Sequence, residues 1–132
     1  MRYLSHTTAS IIGILQIIFI FTICLMPIKS SEDNYFPHLD KVVHFSSYFF
    51  LSTWYMSLYP NKKPVLFILL FSLMGALIES LQGMTNYRSF ELLDMVVNSL
   101  GCIFAGLLVK YTSGLLLNKW FKSRSRSRSR FR

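Results

Sequence analysis

Charge is scarce in this sequence. Only 15% of its 132 residues are Asp, Glu, Lys or Arg, while 52% are hydrophobic. A soluble domain of this length needs a charged shell, and so few charges cannot build one. Cysteine is scarce as well. Cys24 and Cys102 both fall inside apolar runs, which excludes a disulfide framework and leaves them as small apolar fillers. No His-x-x-x-His or Glu-x-x-His pair occurs, so no metal site is expected, and nothing calls for a cofactor. A serine elbow, a phosphate-binding glycine loop and a cysteine nucleophile are all missing. The first apolar run lacks a clean small-x-small cleavage site after it, so it is read as retained rather than removed as a signal.

What is present is four long apolar segments. They run from about Ala9 to Met26, Val42 to Tyr59, Val65 to Met84 and Leu92 to Val109. Eighteen residues at 1.5 Å each span roughly 27 Å, about one hydrocarbon thickness. Pro27 ends the first segment, and the turn from Tyr59 to Pro64, with a proline at each end of its last five residues, separates the second from the third. The second segment carries Phe45, Tyr48, Phe49, Phe50, Trp54, Tyr55 and Tyr59, and Trp and Tyr near segment ends suit the headgroup zone. The expected fold is all-α: a polytopic membrane protein with a four-transmembrane-helix bundle over residues 1–118. Tyr111 to Phe121 is too short to cross again, and either extends the fourth helix or lies along the membrane surface.

The net charge of +8 belongs mostly to the end of the chain. Lys119 to Arg132 holds two Lys, five Arg and no acid, which leaves +1 for everything before it. Four Ser-Arg repeats at Ser123 to Arg130 cannot bury apolar surface, so residues 119–132 are expected to be a disordered basic tail. Its expected partner is anionic lipid, at about 1 kcal/mol per basic residue near the surface. No RNA-reading domain accompanies the repeats, so nucleic acid is not expected as a partner. With both termini in the cytoplasm, the inner side holds Arg2, Lys62, Lys63, Lys110 and the seven tail charges, against Lys29, Lys41 and Arg88 outside. Eleven against three favours that orientation by the positive-inside rule.

On this topology the polar residues converge at one depth. Asp40, Lys41 and His44 open the second helix, Glu79 and Gln82 close the third, Arg88 lies in the outer loop, and Asp94 and Asn98 open the fourth. Asp40 with His44, and Asp94 with Asn98, share helix faces at a four-residue step, and Glu79 with Gln82 at three. An Asp at the centre of a span costs about 2.5 to 3.5 kcal/mol on insertion scales, which favours turning these pairs toward one another. Water near the interface explains Asp40 and Lys41 alone, and the helix dipole suits Asp40 and Asp94 in first turns. His44 and Glu79 are surrounded by apolar residues and need another reason. Glu79, Asp94 and His44 form a workable acid–base set, without further signs of chemistry. Gly101, Ala105 and Gly106 are small residues that let helices approach closely in lipid.

Asp40-Lys41-Val42-Val43-His44-Phe45 with Tyr48 resembles the opening motif of VanZ-like membrane proteins. So do Ile78-Glu79-Ser80-Leu81-Gln82, then Arg88-Ser89-Phe90, then Asp94, Asn98 and Gly101. The resemblance covers about half the chain, from Asp40 to Gly106. It departs at Asn86-Tyr87, where a glycine beside the arginine is expected. The family is named for a protein associated with resistance to the glycopeptide teicoplanin. The resemblance implies a multi-pass protein of a bacterial inner membrane and marks the polar set as motif residues. Three functions follow as expectations: binding or modifying a lipid-linked cell-envelope molecule, or altering glycopeptide susceptibility, through the outer polar cluster; a membrane enzyme using His44, Glu79 and Asp94; or an assembly role with no ligand.

Overall fold

The computed structural model describes residues 5–26, 39–86 and 89–112. Arg2, Lys29, Arg88 and the Ser-Arg tail lie outside them. Among the described residues there are four helices: α1 (His6–Leu25), α2 (Leu39–Leu58), α3 (Pro64–Gly83) and α4 (Leu92–Thr112). Three have 20 residues and α4 has 21, so each is about 30 Å long, the thickness of a hydrocarbon core.

Local chemistry sets most of the ends. Ser5 caps α1, its hydroxyl accepting from the Thr8 N–H at 3.0 Å, which starts that helix three residues before its apolar run. Met26 is extended at ψ 136, the conformation that a following proline imposes, so α1 stops at Leu25. Lys63 is extended for the same reason, and Pro64 occupies the first turn of α3, where a missing N–H costs nothing. Helix α4 continues three residues past the expected end, to Thr112, taking in Lys110 and Tyr111. Beyond that point the choice between helix extension and surface segment falls outside the described residues.

The packing is inside out relative to a soluble protein. Leu73, Leu69, Phe19, Ile14, Leu100 and Phe104 are exposed, whereas Glu79, Gln82, Asp94 and Asn98 are each 1% exposed. A protein surrounded by water reverses that order. Five hydroxyls within the helices are satisfied by their own helix. Thr22, Thr53, Ser80, Ser99 and Thr112 each donate to the carbonyl four residues earlier, at 2.7 to 3.0 Å.

Helices α1, α3 and α4 are long and apolar enough to cross a membrane. The protein is thus all-helical, with three spans of that kind and the character of a multi-pass membrane protein. Helix α2 is as long but more polar. It packs on all three other helices, as α3 does, with its largest interface on α4. Its His44, Ser52 and Ser57 are buried, so its polarity faces protein rather than the surroundings.

The two ends of the bundle differ. At the end holding the α2–α3 turn, Tyr55, Tyr59, Phe67 and Phe71 pack together, stacked, tilted or edge-on, with ring centroids 5.3 to 6.3 Å apart. His6 meets Tyr59 edge-on there. Trp54 Nε1 donates to the Ala9 carbonyl at 3.0 Å, tying α2 to α1. The opposite end is polar.

Candidate functional site

Lys41 organises the polar end. Its ammonium donates to Asp94 Oδ1 at 2.6 Å, Glu91 Oε2 at 2.7 Å and Asp40 Oδ2 at 3.1 Å. The first turn of α2 and the start of α4 thereby converge on one cation. The three carboxylates offer oxygens within 4.8 Å of one another, a spacing that suits a bound cation, and the cation they surround is this ammonium. Hydrogen bonds to Asp94, Glu91 and Asp40 compensate the Lys41 charge for its partial withdrawal from solvent.

Exposure is graded across the site. The Asp40 and Glu91 side chains are 43% and 46% exposed, Lys41 is 16%, and Asp94 is 2%. Below this rim the His44 imidazole places Nδ1 3.1 Å from Asn98 Oδ1 and Nε2 3.9 Å from Asp94 Oδ2. Asp40 with His44 and Asp94 with Asn98 do share helix faces, and the two faces meet.

Helix α3 joins the site through backbone groups. Glu79 Oε1 accepts the Glu91 N–H at 2.6 Å, so a buried carboxylate holds the approach to α4. Gln82 Nε2 donates to the Cys24 carbonyl at 2.7 Å, which fastens the last turn of α3 to the last turn of α1. Gly83 makes the bend beyond possible, because a Cβ there would stand 2.9 Å from Phe90 Cβ.

Seven of the eight expected site residues are therefore at one end, and Arg88 lies outside the described residues. Asp40, Lys41, His44, Asp94 and Asn98 form one network, and Glu79 reaches it through Glu91. Gln82 contacts α1 instead. Glu91 itself was not expected. Its position, three residues before Asp94 in the approach to a helix N-terminus, was the available signal. Cys24 and Cys102 are both buried and are not joined in a disulfide.

Small residues bring the helices together. A Cβ on Gly101 would fall 2.6 Å from the Phe45 carbonyl oxygen and 3.1 Å from the Phe49 nitrogen, so α4 lies directly on the α2 backbone. Ala105 is fully buried, and Gly106 faces the Ile68 side chain on α3.

Comparison with known proteins places this arrangement in a family. The chain is 40% identical over 76 residues to an uncharacterized protein of the fission yeast Schizosaccharomyces pombe, covering 54% of this chain and 47% of the relative. It therefore spans about half the length of that relative, which is eukaryotic. No solved structure matches the chain. The family described as VanZ/LLP1 matches residues 3–117, a stretch that contains all four helices and the whole polar end. The chain belongs to the VanZ/LLP1 family.

Proposed function

We propose that this is a four-span membrane protein, with both termini cytoplasmic, whose polar end binds the headgroup of a lipid-linked envelope molecule at the outer surface. The fourth span is α2. It lies alongside three membrane-length helices and matches their length, so a bilayer that surrounds them surrounds it too. The orientation rests on the Lys and Arg asymmetry, with Lys62 and Lys63 at the aromatic end of the bundle.

One observation carries the binding reading: an exposed acidic rim over a buried polar floor. Asp40 and Glu91 are open at the surface while Asp94, Asn98 and Glu79 lie beneath it. Ionisable groups within a membrane protein mark functional sites, because lipid penalises them. The role of Lys41 in this reading follows from its partners. Three carboxylates already hold its ammonium, so it neutralises the site rather than meeting an anionic ligand. The surplus of acceptors favours a headgroup rich in donors, hydroxyl or amino. The bacterial inner membrane and an effect on glycopeptide susceptibility belong to this same reading.

A second reading is assembly. The Gln82 bond to the Cys24 carbonyl and the Glu79 bond to the Glu91 N–H join separate segments, as a purely structural network does. One experiment separates the two. Glu91→Gln alters the rim and leaves the floor intact. Retention of lipid-linked precursor by detergent-purified protein, read by native mass spectrometry, falls at least fivefold with the unfolding temperature within about 2 °C if the site binds. Unchanged retention in both Glu91→Gln and Asp94→Asn leaves assembly as the function.

A further inference from the structure

Three polar groups in the middle of the bundle have no hydrogen-bond partner in the protein. They are the Tyr48 and Ser52 hydroxyls on α2 and the side-chain nitrogen of Asn98 on α4. Tyr48 and Ser52 are 0% exposed, and Asn98 is 1%. Tyr48 lies four residues beyond His44, and Ser52 four beyond Tyr48. All three thus share a face of α2 and descend from the polar end by about 6 Å per step. Asn98 stands opposite, with its Oδ1 3.1 Å from His44 Nδ1.

Ser52 forgoes a bond that other hydroxyls in the bundle make. Thr53, Ser80 and Ser99 each donate to the carbonyl four residues earlier, an acceptor that every helical hydroxyl has nearby. Ser52 does not take the Tyr48 carbonyl. Its hydroxyl lies beside Cys102 on α4, whose thiol bonds only weakly. The other two groups converge on α3. A Cβ on Gly75 would stand 3.1 Å from Asn98 Nδ2 and 3.3 Å from the Tyr48 hydroxyl. They are not bonded to each other, yet both border one point, so a single small molecule can reach both. Gly75 puts no side chain between them.

Inside a bilayer an unpaired polar group has no bulk solvent to turn to, and leaving three unpaired in one layer is costly. A molecule that relieves them must accept from the amide nitrogen, which only donates, and can donate to or accept from the two hydroxyls. Water does both, and a buried water typically bonds about three groups that the protein leaves unsatisfied. We propose that the bundle holds internal water between α2, α3 and α4, bridging the Tyr48 hydroxyl, the Asn98 side-chain nitrogen and the Ser52 hydroxyl. Through Asn98 this hydrated site continues the polar end inward to the middle of the bundle. Water serves the amide whichever of its two ends faces the site. None of this depends on whether the rim binds a headgroup.

An experimental structure of the full-length protein in lipid, at a resolution that shows ordered solvent, tests this directly. Solvent density within hydrogen-bonding distance of at least two of the three groups is expected. A dry layer, with the three groups packed against protein alone, overturns the proposal. Stability gives a second reading whose sign differs between the two cases. Tyr48→Phe removes only the hydroxyl. In a dry core that hydroxyl is an unpaired burden, so its loss leaves the unfolding temperature in detergent unchanged or raises it. With water bonded to it, the temperature is expected to fall by about 3 °C or more, and Ser52→Ala to lower it as well. The double variant Tyr48→Phe/Ser52→Ala is expected to lose less than the two single losses together, because both act on the same water. An unchanged or higher temperature in Tyr48→Phe, or fully additive losses, overturns the bridge. The structure requires no substitution, so it decides the matter even where a variant fails to fold.

Discussion

Lys41 and Asp94, 53 residues apart in sequence, meet at 2.6 Å across the interface of α2 and α4. The pair closes the most extensive helix contact in the bundle at its polar end. Its carboxylate is almost wholly buried while its ammonium is slightly exposed, so the two partners are not equivalent. Removing the cation leaves Asp94 buried with only His44 nearby. Removing the acid leaves Lys41 with two exposed carboxylates and some access to water.

Lys41→Met is therefore expected to cost more than Asp94→Asn. Breaking a buried pair from one side costs about 3 to 5 kcal/mol, whereas replacing both partners with apolar residues is often close to neutral. The double variant Lys41→Met/Asp94→Leu should unfold at a higher temperature than Lys41→Met alone. Thermal unfolding in detergent measures all three. A double variant weaker than either single one means that the pair is not a closed unit.

Gln82 gives a second, local test. Its side chain donates to the Cys24 carbonyl at the last turn of α1, where Met26 has already left the helix. Gln82→Leu keeps the volume and removes the donor, at a cost of about 1 to 2 kcal/mol. The end of α1 should loosen, and Cys24, now buried, should react with maleimide at least tenfold faster in a Cys102→Ser background. Equal rates with and without Gln82 mean that other contacts hold the end of α1.

Position along the bundle axis and the inward turn of the polar pairs were legible in the sequence, and the pairing of individual side chains was not. Apolar runs bounded by Pro27 and by the Tyr59–Pro64 turn place all four helices within about three residues, because proline geometry and capping are local. The four-residue steps Asp40–His44 and Asp94–Asn98 show that each helix owns a polar face. That Lys41 is the centre depends on Gly101 resting on the Phe45 carbonyl, a contact between distant segments. Glu91 escaped notice because a loop acid reads as solvated. Its recruitment comes from its side chain meeting Lys41 and its backbone N–H meeting Glu79, both contacts between distant segments. Helix α2 was expected to be a span like the others, and its Ser52, Ser57 and His44 face protein where it packs on its neighbours.

The position of the Lys62–Lys63 turn offers a check on topology. The Tyr59–Pro64 segment is exposed at Lys62 and Lys63 and bends through a hydrogen bond from Lys62 N–H to the Tyr59 carbonyl at 3.0 Å. Both lysines prefer the cytoplasmic side. Asn61→Cys in a Cys24→Ser/Cys102→Ser background should resist an impermeant thiol reagent in intact cells and react after permeabilisation. Labelling of intact cells places this turn outside and moves the polar end to the cytoplasm.

Gly101 and Gly106 lie five residues apart on α4, yet a methyl group meets different obstacles at each. At Gly101 the added carbon falls 2.6 Å from a backbone oxygen of α2 and 3.1 Å from a backbone nitrogen. Neither atom moves without moving the helix, so α2 and α4 must separate. Separation lengthens the Lys41–Asp94 contact at the same interface, and strain of this kind typically costs about 1 to 3 kcal/mol. At Gly106 the nearest atom is the Ile68 Cδ1 at 3.2 Å, followed by the Met56 Cε at 3.8 Å. Both are ends of flexible side chains and can yield by a few tenths of an ångström. Gly106→Ala also gains about 1 kcal/mol of helix propensity, which Gly101→Ala gains equally. The expected outcome is a clear loss of thermal stability in Gly101→Ala and little change in Gly106→Ala, measured in the same detergent. Equal stability of the two variants means that α2 and α4 do not pack backbone to backbone at residue 101.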